Sequence, residues 1–226
     1  MKSTQKTQRL TLSAVMLAFA TVLALVCEFI PFLSMPFGGG FTVASMLPIV
    51  IVSYMYGVRW GMFVSFAYSV IQMLISLVMG KTVLLLFTPS SDDYMGLGAA
   101  FAIIIIDYII AYTVLGVGGI FRNRIKNKML AIVLGVIVAL SLRYVCHIIS
   151  GYIFYGAWAE WFFSQEGFYA IGEKILGTFS GKGLALIYSI FYNGLYMIPE
   201  IIITVVAAVA VSKVPVIKIQ GKDSLT

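Results

Sequence analysis

The sequence predicts an all-α integral membrane protein, built as a bundle of six transmembrane helices with both termini in the cytoplasm. Apolar residues make up 61% of the 226 residues and charged residues only 11%, whereas soluble domains carry about 25% charged residues. The apolar residues also form runs of about 20, long enough to cross a hydrocarbon layer of ~30 Å. We therefore expect a single membrane domain over residues 1–226, surrounded by lipid.

Six apolar segments, separated by turn-forming or charged residues, each predict one span. The predicted spans are residues 10–30, 41–58, 60–80, 97–121, 129–158 and 183–213. Pro31 and Pro36 end the first span, and Gly57 with Arg59 predicts a tight turn between the second and the third. Residues 159–182 combine aromatic residues with glutamates, which predicts an outer interfacial loop or short helix, acting either as an aromatic anchor or as a lid.

The distribution of basic residues predicts the orientation of the bundle. Of the 15 Lys and Arg residues, eleven fall on one side of the predicted spans, three on the other side, and Arg143 inside a span. Because cytoplasmic loops are enriched in Lys and Arg, the side with eleven is predicted to be cytoplasmic. Both termini belong to that side, which agrees with an even number of spans.

Several functional classes are excluded by the charge pattern and by the absence of motifs. The net charge of +6 is spread over short connections and forms no extended basic face, so nucleic acid is not an expected partner. Cys27 and Cys146 lie in apolar runs and predict neither a disulfide framework nor a metal site. The sequence has no P-loop, no His-Glu-x-x-His and no nucleophile elbow, so we expect no enzyme, no metal and no cofactor.

Ionisable residues at membrane depth are costly unless they are paired or hydrated, so each is a candidate functional residue. These residues are Glu28, Asp107, Arg143, His147 and Glu200. Asp107 is followed by Tyr108, which places a carboxylate and a phenol on adjoining faces of one helix. The carboxylate either attracts a cationic ligand or pairs with Arg143 to hold two helices together.

Polar residues also follow one face of each of the last two predicted helices. Arg143 and His147 are four residues apart, and Tyr155 lies two turns beyond His147 on a similar face. His147 is either a hydrogen-bonded core residue or a ligand contact. The last helix carries a polar aromatic stripe formed by Tyr188, Tyr192, Asn193, Tyr196 and Glu200. Asn193 can bind a heterocycle or join two helices, and we favour a structural pair between Glu200 and Arg143, because it removes two unpaired charges together.

A series of motifs resembles a known family of membrane transport proteins. The motifs are Pro36-Phe37-Gly38-Gly39, Ser45-Met46-Leu47-Pro48-Ile49, Asp107-Tyr108, the His-x-x-Ser-Gly block within Arg143 to Gly151, and Tyr192-Asn193-Gly194 before Met197-Ile198-Pro199-Glu200. In this order they resemble the ThiT family, the thiamine-specific substrate-binding components of energy-coupling factor transporters, and the resemblance spans residues 10–205. The resemblance implies a six-helix protein of the bacterial plasma membrane that binds thiamine with high affinity.

The resemblance also implies partners and ligand contacts. The partners would be one transmembrane scaffold subunit and two ATP-binding cassette ATPases, which supply the energy. The implied thiamine contacts are Asp107, Tyr108, His147, Tyr155, Tyr188, Asn193, Trp158 and Phe37. Asp107 should face the thiazolium cation, and Phe37 should cover the site from the first outer loop. Tyr155 stands where the family has Trp, so ring stacking is either weakened or supplied by Trp158.

Small residues on the first helix suggest a contact with another helix. Ala14-x-x-x-Ala18 and Ala20-x-x-x-Ala24 each place two alanines one turn apart, which lets a second helix approach closely. The pattern alone favours packing within the bundle. The resemblance implies instead that Ala14 and Ala18 face the scaffold subunit.

Three other functions remain open at this level. A substrate-binding component for another vitamin or for a thiamine precursor would share the fold, although an uncharged ligand would not need Asp107. A stand-alone secondary transporter could use proton-coupled Asp107 and Arg143, and an intramembrane enzyme could use His147 with Asp107. The last two leave the alanine pattern unexplained.

Overall fold

The computed structural model describes residues 2–33, 40–215 and 217, and the regular elements in this part of the chain are helices. We number them α1 (Lys2–Glu28), α2 (Leu47–Tyr56), α3 (Val58–Val78), α4 (Thr82–Leu85), α5 (Leu97–Gly119), α6 (Lys128–Phe154), α7 (Ala159–Phe163), α8 (Tyr169–Thr178) and α9 (Gly181–Ser212). Short 3-10 turns occupy Pro31–Leu33, Gly156–Trp158 and Glu166–Phe168. The end of the bundle at which α3 and α6 finish is called the outer end below, following the predicted orientation.

Five of these helices, α1, α3, α5, α6 and α9, are long and apolar enough to cross a membrane. The predicted all-α membrane fold is confirmed. The segment predicted as the second span is different, because its helix, α2, has only 10 residues and reaches ~15 Å at 1.5 Å per residue. Residues 40–46, which precede it, are not helical. Such backbone is tolerated at membrane depth where protein rather than lipid surrounds it.

The short helix α2 forms the centre of the bundle. Its residues from Leu47 to Met55 are all buried, and α1, α3, α5, α6 and α9 pack around it. Pro48 lies in its first turn, where a missing backbone N–H removes no helical hydrogen bond. Gly57, with φ of 92°, ends α2 and begins α3, because only glycine adopts this conformation readily.

The fifth helix changes geometry along its length. It is α-helical over Leu97–Ile103, π-helical over Ile104–Ile110, and becomes a 3-10 helix over Val114–Gly119. At the inner end, a side chain on Gly119 would collide with the backbone of Ser53 on α2. The Ser53 hydroxyl donates to the carbonyl of Gly116 and accepts a 2.9 Å hydrogen bond from the amide of Gly119. We call this contact among Ser53, Gly116 and Gly119 the inner crossing.

The segment over residues 159–182 contains α7 and α8. Phe162 and Phe163 of α7 are 0% and 1% exposed, and they pack with Tyr188 of α9 in one apolar cluster. These two rings therefore face protein, so the interpretation of the whole segment as an aromatic anchor does not hold for them. Trp161, between Glu160 and Phe162, is the ring that is 47% exposed.

The two alanine pairs of α1 lie on opposite faces. Ala20 and Ala24 are buried, at 0% and 4% exposure, and pack within the bundle. Ala14 and Ala18 are exposed, together with Val15 and Phe19 between and beside them. The bundle therefore leaves one of the two predicted close-contact faces open.

Candidate functional site

A cavity of about 680 Å³ lies between the helices in the outer half of the bundle. It brings together residues of α1, α3, α5, α6 and α9 with the non-helical segment 40–46. The predicted ligand contacts that line it are Asp107, Tyr108, His147, Tyr155, Trp158, Tyr188 and Asn193. Phe37 lies outside the described residues. The remaining candidates thus line one cavity, although they are spread over more than 80 positions of the sequence.

Asp107 is held by two side chains of α6. Its Oδ1 lies 2.8 Å from Nδ1 of His147, and its Oδ2 accepts a 2.6 Å hydrogen bond from the hydroxyl of Ser150. An ionised carboxylate only accepts hydrogen bonds, so Nδ1 of His147 carries the proton in this arrangement. Asp107 belongs to the π-helical part of α5, a geometry that often occurs at functional sites.

Arg143 makes neither of the carboxylate pairs considered from the sequence. Its guanidinium donates to the hydroxyl of Tyr112 at 3.0 Å and to the sulfur of Met46 at 2.9 Å, and it lies 4.3 Å from the centre of the Tyr112 ring. Among the described residues no salt bridge joins it to Asp107 or Glu200. The favoured pair of Arg143 with Glu200 is therefore wrong, and the alternative pair with Asp107 does not form either, because neutral groups and a ring face contact the guanidinium instead.

Glu200 is directed toward the non-helical segment. Both of its carboxylate oxygens accept 2.9 Å hydrogen bonds from the hydroxyl of Thr42, and the backbone N–H of Thr42 also donates to Oε2. The hydroxyl of Thr204 on the same helix donates to Oε1 at 3.4 Å. Glu200 is only 1% exposed, so these groups replace water around its charge.

Asn193 joins two helices at the cavity wall. Its amide nitrogen donates to the carbonyl oxygens of His147, at 3.2 Å, and Ser189, at 2.8 Å. Its Oδ1 accepts from the hydroxyl of Tyr196. Gly151 of α6 faces Ser189 with no room for a side chain, so α6 and α9 approach closely here. Asn193 therefore has the helix-joining role that the sequence left open, while also lining the cavity.

Aromatic rings form the outer wall of the cavity. Trp158 and Trp161 pack edge to face with ring centres 5.8 Å apart, and Tyr188 and Tyr192 lie 5.5 Å apart. The hydroxyl of Tyr108 donates to Ser76 at 2.8 Å. Ring faces attract cations, so this wall together with the nearby carboxylates is suited to a cationic ligand.

An ion pair and a further carboxylate lie where the cavity meets the outer end. Glu28 at the end of α1 forms an ion pair with Lys81, and both residues line the cavity. Asp93, in the connection before α5, also lines it. Burial and the neighbouring Asp92 carboxylate both raise the pKa of Asp93.

The residues Asp107, His147 and Ser150 have the side chains of a hydrolytic triad but not its connections. The Ser150 hydroxyl donates to Asp107 rather than to the imidazole, so His147 cannot act as its general base. Nε2 of His147 is buried and has no hydrogen-bond partner among the described residues. No group of three His, Cys, Asp or Glu side chains that could hold a metal occurs there either.

Some contributors to the site were not predicted from the sequence. Ser150 has a signal, because it lies three residues after His147 and thus on the same helical face. Ser45 and Met46 belong to the Ser45–Ile49 motif, which gives them a signal without a role, and Thr42 has none, because its segment has no helical period. Tyr192 and Trp161 complete the aromatic wall.

Comparison with known proteins gives consistent matches. Residues 10–165 match the family described as thiamine transporter protein (Thia_YuaJ). The thiamine transporter ThiT of Bacillus subtilis (strain 168) is 28% identical over 213 residues, covering 90% of this chain and 89% of that protein. A solved structure of ThiT from Listeria monocytogenes matches with a TM-score of 0.59 at 19% identity, covering 92% of this chain and 95% of that one. At this identity, the structural match shows a common fold.

Proposed function

This chain belongs to the thiamine transporter protein family, and on that premise we propose that it is the thiamine-binding membrane subunit of an energy-coupling factor importer. It is a multi-pass protein of the cell membrane and not an enzyme. In the proposed function it captures thiamine from the outer side with high affinity. Separate chains, a transmembrane scaffold subunit and two ATP-binding cassette ATPases, supply the energy for import.

The cavity is the observation that carries this proposal. Two carboxylates at membrane depth, Asp107 and Glu200, line it together with one guanidinium, that of Arg143. With His147 neutral and both carboxylates ionised, this set has one net negative charge; the pair of Glu28 and Lys81 adds none, and Asp93 adds a further acidic group. A buried excess charge is unfavourable unless a counter-charge is supplied. The permanent thiazolium cation of thiamine supplies that charge.

We assign the following roles to the cavity residues. Asp107, fixed by His147 and Ser150, faces the thiazolium charge. Tyr155 and Trp158 cover the cationic ring, since aromatic faces attract cations. The remaining contacts, to the aminopyrimidine and the linker, come from Tyr108, His147, Tyr188 and Asn193.

Binding to purified protein tests the assignment of ligand. Isothermal titration calorimetry in detergent or nanodiscs should give a dissociation constant for thiamine well below ~1 μM, corresponding to more than ~8 kcal/mol. Riboflavin and the uncharged aminopyrimidine precursor serve as comparison ligands. Tight binding of either one with weak binding of thiamine would assign the site to a different vitamin.

The exposed alanines of α1 are the proposed contact with the scaffold subunit. Ala14 and Ala18 stay exposed while Ala20 and Ala24 are used within the bundle, so one close-contact face is available to a second helix. Ala18→Trp should therefore leave thiamine affinity within about twofold and abolish uptake in cells that contain the partner subunits.

Val206→Trp is the matched control, because Val206 is also exposed but lies on α9, away from the alanine face of α1. Uptake that persists in the double variant Ala14→Trp, Ala18→Trp would contradict this docking face. Uptake by the wild-type chain alone in vesicles, without ATPases, would contradict the need for partners.

A further inference from the structure

The non-helical segment 40–46 is the least regular part of the cavity wall. Phe41, Thr42, Ser45 and Met46 line the cavity, and the segment connects directly to the buried helix α2. The backbone N–H groups of Thr42 and Val43 have no helical partner, so each needs another acceptor. The position of segment 40–46 therefore depends on the acceptors that other parts of the fold supply.

Two side chains from other helices supply acceptors in the middle of the segment, while the N–H groups of Phe41 and Ala44 donate to the backbone carbonyls of Leu33 and Thr42, each at 3.1 Å. The N–H of Thr42 donates to Glu200 of α9, and the N–H of Val43 donates at 3.2 Å to the sulfur of Cys27 on α1. Glu200 comes immediately after Pro199, which lies inside α9. Cys27 accepts from one backbone N–H only, whereas the Glu200 carboxylate accepts from both the backbone N–H and the hydroxyl of Thr42.

A chain of hydroxyl groups continues from Glu200 into the bundle. The Thr42 hydroxyl donates to the carboxylate, Ser45 lies 2.6 Å from Thr42, and the hydroxyl of Tyr68 donates to Ser45 at 3.4 Å. A carboxylate only accepts hydrogen bonds, so the direction is fixed as Tyr68 to Ser45 to Thr42 to Glu200. Removing the acceptor at its end leaves the whole chain without a defined direction.

The backbone next to this chain is strained. Ala44 has φ of 57°, and it is the non-glycine residue with positive φ among the described residues. Such a conformation persists only where the surroundings impose it, and strain of this kind concentrates at functional sites. The hydrogen bonds of Thr42 and Val43 hold the two preceding positions.

We infer that Glu200 is a positioning residue for the ligand cavity: beyond its share in the net charge of the cavity, it acts through Thr42 and the segment 40–46 and does not contact the cation directly. This inference rests on the proposed function for its ligand. The segment in turn presents Met46 to Arg143, at 2.9 Å. Displacement of the segment therefore moves the wall and releases the guanidinium at the same time.

The test uses the full chain with Cys146→Ala, which leaves Cys27 as its single cysteine, because the sequence has 2. Cys27 lines the cavity and is 5% exposed, so its alkylation by a maleimide reports whether the segment has moved. Four variants are compared: Glu200→Met, Glu200→Gln, Thr42→Val and Thr42→Ser. Each is measured for thiamine affinity, Cys27 alkylation rate and thermal stability.

Glu200→Met keeps the length of the side chain but removes the acceptors, and should weaken thiamine binding about thirtyfold and speed alkylation about tenfold. Glu200→Gln keeps one carbonyl acceptor and should show a loss of only about threefold. Thr42→Val should resemble Glu200→Met, and Thr42→Ser should restore most of the affinity because it restores the hydroxyl. In the double variant Glu200→Met, Thr42→Val the losses should not add.

Equal losses in Glu200→Gln and Glu200→Met would overturn the inference in favour of direct charge attraction. A lower melting temperature with unchanged affinity and unchanged alkylation would overturn it in favour of a purely structural role. If the wild-type chain did not bind thiamine, the proposed function would fail, whereas the order of alkylation rates would still decide the positioning role of Glu200.

Discussion

The inner crossing and the outer cavity are built from the same helices, yet they use opposite kinds of residue. At the inner crossing, Gly116 and Gly119 bring α5 into backbone contact with α2 and α3. The Ser53 hydroxyl forms hydrogen bonds with the carbonyl of Gly116 and the N–H of Gly119. At the outer cavity, large polar rings and carboxylates keep the helices apart around about 680 Å³. Close helix contact fixes the bundle at the inner crossing, and the helices can therefore stay apart around the cavity at the outer end.

This comparison implies that substitutions at the two ends fail in different ways. A larger side chain at the inner crossing should lower the yield of folded protein, because backbone atoms cannot move aside for it. A change in the cavity should remove ligand affinity and leave the fold, because the cavity already contains unfilled volume. The predictions below test this separation, in order of decreasing effect.

The largest effect is expected for Gly119→Ala. The added Cβ would overlap the backbone carbonyl of Ser53, and overpacking of this kind costs ~3 kcal/mol or more. The variant should yield little monodisperse protein by size-exclusion chromatography. Gly98→Ala, on the same helix with nothing within 4 Å of the new Cβ, is the control. Equal yields of the two would show that the inner crossing is not a tight contact.

The second effect concerns the carboxylate in the cavity. Asp107→Asn keeps the shape but removes the charge and should weaken thiamine binding by ~2 kcal/mol, about thirtyfold, with a normal melting temperature. His147→Ala removes one of the two groups that orient Asp107 and should weaken binding less. Calorimetry checks both. Unchanged affinity in both variants would mean that the cation binds elsewhere in the cavity.

The smallest effect is expected from Asp93 at the outer end. Burial and Asp92 raise its pKa, so its negative charge is lost at a higher pH than for an ordinary aspartate as the solution is acidified. Because the charge attracts a cation toward the mouth, the association rate of thiamine should fall over that range of pH. Stopped-flow fluorescence measures this rate.

Asp93→Asn should remove that part of the pH dependence. The same raised pKa means that the ionised form is the less favourable one in the folded protein, so the variant should be slightly more stable at neutral pH. An association rate with the same pH profile in both proteins would show that Asp93 does not contribute to the approach of the ligand.

The membrane fold was predictable because its cause is local. Apolar runs of sufficient length predict helices in lipid whatever their partners are, and five helices of the structure satisfy that criterion. The exception is α2, where the run over residues 41–58 was interpreted as a full span. Residues 40–46 can remain non-helical because they line a cavity between helices, and a hydropathy pattern does not distinguish such a segment from one that crosses lipid.

The candidate site was predictable in its members but not in its connections. Asp107, His147 and Asn193 stood out because polar residues at membrane depth are rare. Their partners did not, because the sequence offers several oppositely charged or polar groups for each one. Arg143 illustrates this, since a carboxylate partner was expected and a tyrosine with a methionine was found.

The sequence by itself determined that this protein lies in a membrane, that its polar residues are few, and which of them could matter, since composition and helical period act within single segments. Only the tertiary structure decided that Asp107 pairs with His147 and Ser150, that Glu200 holds Thr42, and that Ala14 and Ala18 remain exposed. The physical reason is that pairing and exposure depend on distances between helices. Those distances follow from side-chain packing between segments that are far apart in the chain.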